Sequence, residues 1–187
     1  DAQDDDGSFN RTVQGSLRQF IQNANAIAGA NAMRFTPAVA VNDSGGGSWW
    51  EISVTEVLPA VTDADTTIDG IAYNFSDGTT VRDTNAVVLG YTGPVGLGAD
   101  AQFSTGDEPA LAGVAGPELE IVNDRATNVV LIGLDLQADA ATVRRVAVYG
   151  FGWDTLAQDG NIRVGVNGGG TGFTAALIEQ NVIGAPA

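Results

Sequence analysis

Short apolar runs with one shared spacing recur along the second half of the chain. Runs that begin at Leu131, Val143 and Ile178 place apolar residues at positions 1, 4 and 6, with Asn181 as the one polar substitute. This spacing is typical of a strand, a bend and a second strand, and it does not hold the 3.6-residue period of a helix. Residues 162–166 form another candidate run. Short imperfect repeats of this kind predict a solenoid whose coils stack on one another.

The first half of the chain carries the same pattern less regularly. Ile68, Ile71 and Tyr73 repeat the spacing of 1, 4 and 6, and alternating apolar residues after Trp50 predict a strand. Residues 93–117 have no clear periodicity and are too long for a simple connection. We therefore expect them to form a side excursion from the solenoid or a binding loop.

The segment that follows Gly15 has the pattern of an amphipathic helix over about residues 16–28. Ser16 is a good N-cap, Gln19 completes a capping box and Gly29 suits the stop. The predicted apolar face consists of Leu17, Phe20, Ile21, Ala24 and Ala28. An open solenoid end exposes core side chains and strand edges, and this helix would cover one such end.

The two ends of the predicted domain differ in what covers them. Residues 1–14 are mainly polar, which predicts a flexible arm or, through Phe9 and Val13, an arm that adds as a strand to a neighbouring subunit. Residues 15–187 are predicted to form a single domain with coils over about residues 32–187. The last run has no capping helix after it, so we expect either that the chain has been cut from a longer one or that another molecule covers this end, as in head-to-tail stacking of copies. The predicted assembly residues are Phe9, Val13, Leu17, Phe20, Ile21, Ile178, Val182 and Ile183.

Composition and charge narrow the possible partners. The 187 residues include 25 Gly and are 44% hydrophobic, which suits one domain of short strands and tight turns. The net charge is −15, and all eight basic residues are Arg. Nucleic acid and anionic membrane surfaces both require a basic surface, so neither is expected as a partner.

Missing residue types exclude several chemistries. The chain has no Cys and no His, which excludes disulfides, thiol catalysis, zinc sites with Cys or His ligands and a Ser-His-Asp triad. The sequence also has no apolar run long enough to cross a bilayer, so membrane insertion is not expected. Because the chain starts at Asp1 without Met, we expect a mature protein whose signal peptide has been removed.

Tryptophans and aspartates are the candidate binding residues. Trp49 and Trp50 are adjacent in a predicted strand, so one is expected in the core and the other at the surface. An outer Trp of this pair, or Trp153, could stack on a sugar ring, whereas packing in the core is the simpler interpretation. No cofactor is required. Asp63, Asp65 and Asp69 loosely resemble a calcium loop, although aspartates that cap turns explain the same pattern.

Residues 15–75 carry a specific resemblance. Gly15-Ser-Leu-Arg-Gln-Phe-Ile-Gln-Asn-Ala-Asn, followed by Met33-Arg-Phe35, Leu58-Pro-Ala-Val61 and Thr67-Ile-Asp-Gly70, resembles the CSLREA-type segment of bacterial secreted and surface proteins. The chain departs from that pattern at Gly15, where Cys is usual, and at Phe20, where Ala is common. The resemblance implies an all-β, right-handed parallel β-helix with an N-terminal capping α-helix, irregular loop excursions and an extracellular or cell-surface location. It implies no activity.

The function that the sequence favours is structural. We expect a non-enzymatic surface protein, a self-assembling filament or surface-layer-type subunit. Its expected partners are copies of itself, with a polysaccharide as a second candidate partner. One alternative is a carbohydrate-binding adhesin module. Another is a polysaccharide lyase or glycoside hydrolase, because β-helices host both, but such enzymes need charged residues gathered in one groove. The candidate charged residues would be Asp135, Asp139, Asp154, Asp159 and Arg145, and no signature gathers them.

Overall fold

The computed structural model describes residues 15–43, 47–90, 92–126, 128–153, 159–165 and 172–186. Within these ranges the chain is β-rich and carries one short helix, which confirms the prediction of an all-β protein with a single α-helix. In chain order, the elements are α1 (Leu17–Ala26), β1 (Asn31–Ala32), β2 (Asn42–Asp43), β3 (Ser48–Ser53), β4 (Thr66–Asp69), β5 (Ala72–Tyr73), β6 (Val81–Arg82), β7 (Val88–Leu89), β8 (Val114–Ala115), β9 (Leu119–Val122), β10 (Ile132–Leu136), β11 (Thr142–Arg144), β12 (Val146–Tyr149), β13 (Gly160–Val164), β14 (Leu177–Glu179) and β15 (Val182–Ile183).

Helix α1 begins as the sequence predicts. The Ser16 hydroxyl accepts a hydrogen bond from the backbone N–H of Gln19 at 3.1 Å, which is the N-cap contact. The Gln19 side chain accepts from the backbone N–H of Gly15, one residue before the cap. Both contacts satisfy donors that a helix start leaves unpaired.

The helix ends earlier than predicted. Ile27 is already extended, so Ala28 does not belong to the helix. The Asn31 amide donates to the helix carbonyl of Ala24 at 3.3 Å and, just after the helix, to Ile27 O at 2.8 Å and Gly29 O at 2.7 Å. The physical reason for the early end is therefore a side-chain cap that the periodicity does not reveal.

Most strands join three short parallel sheets. The first sheet has the order β1-β4-β11-β14, and the second has the order β15-β12-β9-β3. Strands β10 and β13 form the third. Strand β2 adds to β3 in the antiparallel direction. Every parallel pair joins strands that are far apart in the chain, as parallel pairing requires.

The register confirms the alignment of three of the predicted runs. Ile68, Val143 and Ile178 lie side by side in the first sheet, and Val148 pairs with Ile183 in the second. The polar substitute Asn181 has a specific role, because its amide donates to the Val143 carbonyl and accepts from the Val146 N–H. These two bonds satisfy backbone groups on either side of the bend.

The run at Leu131 joins a different sheet from the run at Val143. Leu134 pairs with Ile162 in the third sheet, and Leu131 itself precedes β10 and is exposed. Equal apolar spacing reports the strand-and-bend shape, but it does not report which neighbour a strand takes.

One continuous core lies between the sheets. It contains the inward residues of α1 and of the parallel strands, namely Leu17, Ile21, Ile52, Val54, Leu58, Val61, Ile68, Leu119, Ile121, Val130, Leu134, Leu136, Ala141, Val143, Val146, Val148 and Phe151. The helix therefore packs its apolar face on this core.

Residues 74–117, called the excursion below, leave the parallel sheets after Tyr73 and return at Glu118. Strand β6 pairs with β5, and β8 with β7, both antiparallel. The Glu118 carboxylate anchors the return by accepting from the backbone N–H groups of Thr84 at 2.7 Å and Asn85 at 2.8 Å. Residues 93–117, for which a side excursion or a binding loop was predicted, lie within this segment.

Candidate assembly surface and other candidate sites

Strands β13, β14 and β15 are the outermost strands of the three parallel sheets, and their outer edges are called the exposed edge below. Within the described residues, no strand pairs with those outer edges. Apolar side chains accompany the unpaired backbone, since Val164 is 44% exposed, Ile178 39% and Ile183 53%. Unpaired edges and exposed core-type residues together are the features that pair with another chain.

The residues that align with these exposed positions in the neighbouring strands are buried. Val143, which aligns with Ile178, is 0% exposed, as is Val148, which aligns with Ile183. Among the described residues, the exposed edge therefore leaves core-type positions accessible that are buried in the neighbouring strands. Val182, between these positions, is half-buried.

The opposite end is closed by α1. Leu17 and Ile21 are fully buried against the core, and Phe20 packs partly against it. Leu17 and Ile21 therefore cannot contact another molecule, and their assignment to an assembly surface is wrong. Phe9 and Val13 lie outside the described residues.

The adjacent tryptophans differ as expected, but the buried one is not available to a sugar. Trp50 is 2% exposed, its indole N–H donates to the Val39 carbonyl at 3.1 Å, and its ring meets Phe35 edge-on. Trp49 is half-buried. Trp153 is 53% exposed, with the Arg125 guanidinium 5.7 Å from its ring centre. Trp153 is thus the tryptophan best placed for stacking, and Trp50 is excluded.

The three aspartates of the proposed calcium loop do not form a ligand set. In the part of the chain that the structure describes, no group of three acidic side chains is arranged to hold a metal ion. Asp63 accepts from the Asn31 amide at 3.0 Å, and Asp65 occupies a left-handed turn with φ of 59°. Asp69 faces two arginines instead. The Asp63 and Asp69 carboxylates therefore have separate partners, and a calcium site at these residues stays a prediction.

Asp69 holds the two arginines of the Val143 run. Its carboxylate accepts from Arg144 Nε at 2.9 Å and from Arg145 Nε at 2.9 Å, and Arg145 Nη2 makes a further short contact. Burial raises the pKa of Asp69. Hydrogen bonds from Arg145, the Ile71 N–H and Arg144 together outweigh burial, so its pKa lies below the ordinary 3.8.

The described candidate catalytic aspartates each make hydrogen bonds to neighbouring groups. Asp135 is held by Arg163 at 2.9 Å and by the Gln137 amide at 2.7 Å. Asp139 accepts from the Thr174 N–H and hydroxyl, which lower its pKa. Asp159 accepts from the Trp153 N–H. Asp154 lies outside the described residues. Each described aspartate therefore has a local structural partner.

Sequence reasoning missed one acidic pair. Glu51 and Glu120 are register partners on β3 and β9, and Glu120 is almost fully buried, accepting from the Tyr149 hydroxyl at 2.5 Å. The two glutamates are far apart in the chain, so the only signal was a charged residue within each predicted apolar strand.

The comparisons with known proteins add no relative. No protein-family model, curated protein or solved structure matches this chain. Among the described residues, α1 is the only helix, and it is too short to span a bilayer. Function must therefore be inferred from the chain itself.

Proposed function

We propose that the chain forms a right-handed parallel β-helix that serves as a structural module of a secreted or cell-surface assembly. The strand order supports this fold. Strands β10, β11 and β12 belong to the third, first and second sheets, and β13, β14 and β15 repeat that order. Such a succession corresponds to coils that wind around one core, and parallel crossovers are right-handed in almost all proteins. The resemblance to CSLREA-type surface proteins favours the same fold and location.

The exposed edge carries the functional proposal. A soluble domain gains stability when core-type residues are covered, and these positions are closed in every neighbouring strand pair described above. A second copy of this chain is the occupant that we propose, arranged head to tail. Because a head-to-tail contact does not close on itself, repeated addition produces a filament.

Residues 1–14 are the segment of the second copy that we expect at this joint. They precede α1 in the chain, and α1 covers the end of the next copy that would face this joint. Their length suffices to pair with an edge strand as short as β14, since an extended chain rises about 3.3 Å per residue. Phe9 and Val13 would supply the apolar side chains. The polar outer surface of α1 alone could not cover an apolar edge.

Assembly is tested on the purified protein by sedimentation velocity and negative-stain microscopy over a range of concentrations. We expect concentration-dependent oligomers or filaments. The double variant Ile178→Lys/Ile183→Lys places two charges on the exposed edge and should remain monomeric. Val88→Lys is the matched control, because Val88 is 63% exposed but lies in the excursion.

Two results would contradict the proposal. A monomeric wild-type protein at high concentration would remove self-assembly altogether. Assembly that survives the double substitution would place the contact elsewhere. Deletion of residues 1–14 tests the arm separately, because assembly of the deleted protein would show that the edge is covered without it.

A second function, carbohydrate binding, is favoured by Trp153 alone. A large exposed aromatic beside Arg125 is suited to stacking against a sugar ring. Glycan-array binding that is lost in Trp153→Ala would support this function, and unchanged binding would exclude Trp153 from it.

A further inference from the structure

A cleft of about 340 Å³ lies where the excursion leaves the parallel sheets and returns to them. Its lining comes from residues 70–71, from β6 and the residue after it, from residues 114–118, and from the bends after β11 and β14. Clefts of roughly 300–1,000 Å³ are typical of small-ligand sites. Its volume therefore suits a ligand of one or two sugar units.

Apolar and charged groups share this cleft. Ile71, Val81, Val114 and Pro117 provide apolar surface, and the two valines are each more than half exposed. The polar lining includes Arg82, Asp83, Arg145 and Gln180. Two guanidinium groups in one cleft are notable in a chain with a net charge of −15 and only eight basic residues.

The Arg82 guanidinium is held in place but not neutralised. It lies over the Trp50 ring, 4.6 Å from the ring centre, and the buried ring gives it a fixed platform. Within the described part of the chain, this guanidinium makes no hydrogen bond and no ion pair. Its N–H groups are therefore free to bind a ligand.

The Arg145 guanidinium is held by side-chain hydrogen bonds rather than by an aromatic ring. Asp69 accepts from its Nε and Nη2 atoms, and the Gln180 side-chain oxygen lies 3.4 Å from Nη1. A guanidinium has five N–H donors, so these contacts leave part of its fork unused. Asp69 is thus a positioning residue that orients Arg145 at the cleft.

We propose that this cleft binds a uronate residue of an acidic polysaccharide. Arg82 and Arg145 bind its carboxylate, because a guanidinium fork matches the planar geometry of that group. The apolar lining packs on the C–H face of the sugar ring, and Asp83 and Gln180 accept and donate hydrogen bonds at its hydroxyls. Asp83 disfavours ligands with a second negative charge, such as a phosphate ester. The proposal does not depend on self-assembly.

Ligand-observed NMR and calorimetric titration test the cleft with defined probes. The probes are D-galacturonic acid and its short oligomers. D-galactose is the control sugar that lacks the carboxylate, and N-acetylvaline is the control carboxylate that lacks a sugar ring. We expect binding of galacturonate, at least tenfold tighter than galactose. Arg82→Gln should weaken binding about tenfold or more, because one guanidinium–carboxylate pair is lost.

Arg34→Gln is the matched control. Arg34 also lies 4.6 Å over an aromatic ring, that of Tyr73, but it does not line the cleft. Equal melting curves for the two variants show that both fold. The site would be wrong if Arg82→Gln left galacturonate binding unchanged, or if Arg34→Gln weakened it as much. If galactose bound as tightly as galacturonate, the proposed contact to the carboxylate would be wrong. If N-acetylvaline bound as tightly as galacturonate, the proposed recognition of the sugar ring would be wrong.

Discussion

Glu120 lies directly beside Glu51 on adjacent parallel strands, so two carboxylates share one face of the second sheet. Burial, followed by the negative charges of Glu120 and Asp124, raises the pKa of Glu51 above its ordinary 4.5. The Tyr149 hydroxyl donates to Glu120, and burial together with this bond raises the pKa of Tyr149. Burial and the neighbouring negative charges therefore disfavour the ionised form of Glu51 in the folded protein.

Glu51→Gln should stabilise the protein at neutral pH. A folded-state pKa above 4.5 means that the fold loses stability as pH rises from about 4.5 through the folded-state pKa. Because Glu51 is largely exposed, we expect a gain of only about 0.5 kcal/mol at pH 7, or one to two degrees in Tm. At pH 4 and below, the two proteins should melt together. Glu56→Gln removes an equal charge at another exposed site and should not reproduce this pH dependence.

Asp69→Asn should destabilise the protein by about 2 kcal/mol at pH 7, because two arginines lose a charged acceptor. A folded-state pKa below 3.8 contributes stability above pH 3.8, and this contribution is lost as pH falls through the lower value. The difference in Tm should therefore shrink in acid. Asp100→Asn, at an exposed turn, is the control. A constant difference down to pH 2 would contradict the ion-pair explanation.

Asn123→Ala should cost about 3 kcal/mol in denaturant unfolding. The buried Asn123 amide donates to the Val54 carbonyl at 2.8 Å and accepts from the Val130 N–H at 2.9 Å, so truncation leaves two buried groups unpaired. Asn74→Ala removes a comparable side chain at an exposed turn and should cost far less. If both substitutions lowered the free energy of unfolding equally, the buried hydrogen bonds of Asn123 would contribute nothing specific to stability.

Gly70→Ala should lower Tm by about 6 °C or more. A Cβ at Gly70 would lie 1.9 Å from the Arg145 carbonyl oxygen, which is backbone and cannot rotate away. At Gly160 the nearest atom would be 3.9 Å away, so Gly160→Ala serves as the control. A harmless Gly70→Ala would show that the bends of β4 and β11 do not touch as described.

Local signals predicted local structure well. The Ser16 cap and the strand-and-bend shape of the Val143 and Ile178 runs both follow from short-range chemistry. Each depends on residues within one element or one bend, where spacing determines which side chains share a face.

Contacts between residues far apart in the chain could not be predicted from the sequence. The Leu131 run has the same spacing as the Val143 run, yet it pairs with β13 in another sheet. Similarly, Asp69 looked like a turn aspartate near Asp65, while its partners lie more than seventy residues away. Neighbouring parallel strands are connected by long crossover segments. The spacing of apolar residues within one strand therefore does not reveal which distant strand pairs with it.

The excursion leaves after Tyr73 and returns at Glu118, and residues at both junctions line one cleft. A loop whose ends already meet places almost no constraint on its own length, since the entropy of closing it grows only slowly with added residues. The parallel sheets can therefore accept insertions, deletions or a transplanted loop at the junction where the excursion leaves and returns. Ligand recognition can diversify in evolution, or be engineered, at this junction while the rest of the molecule folds as before.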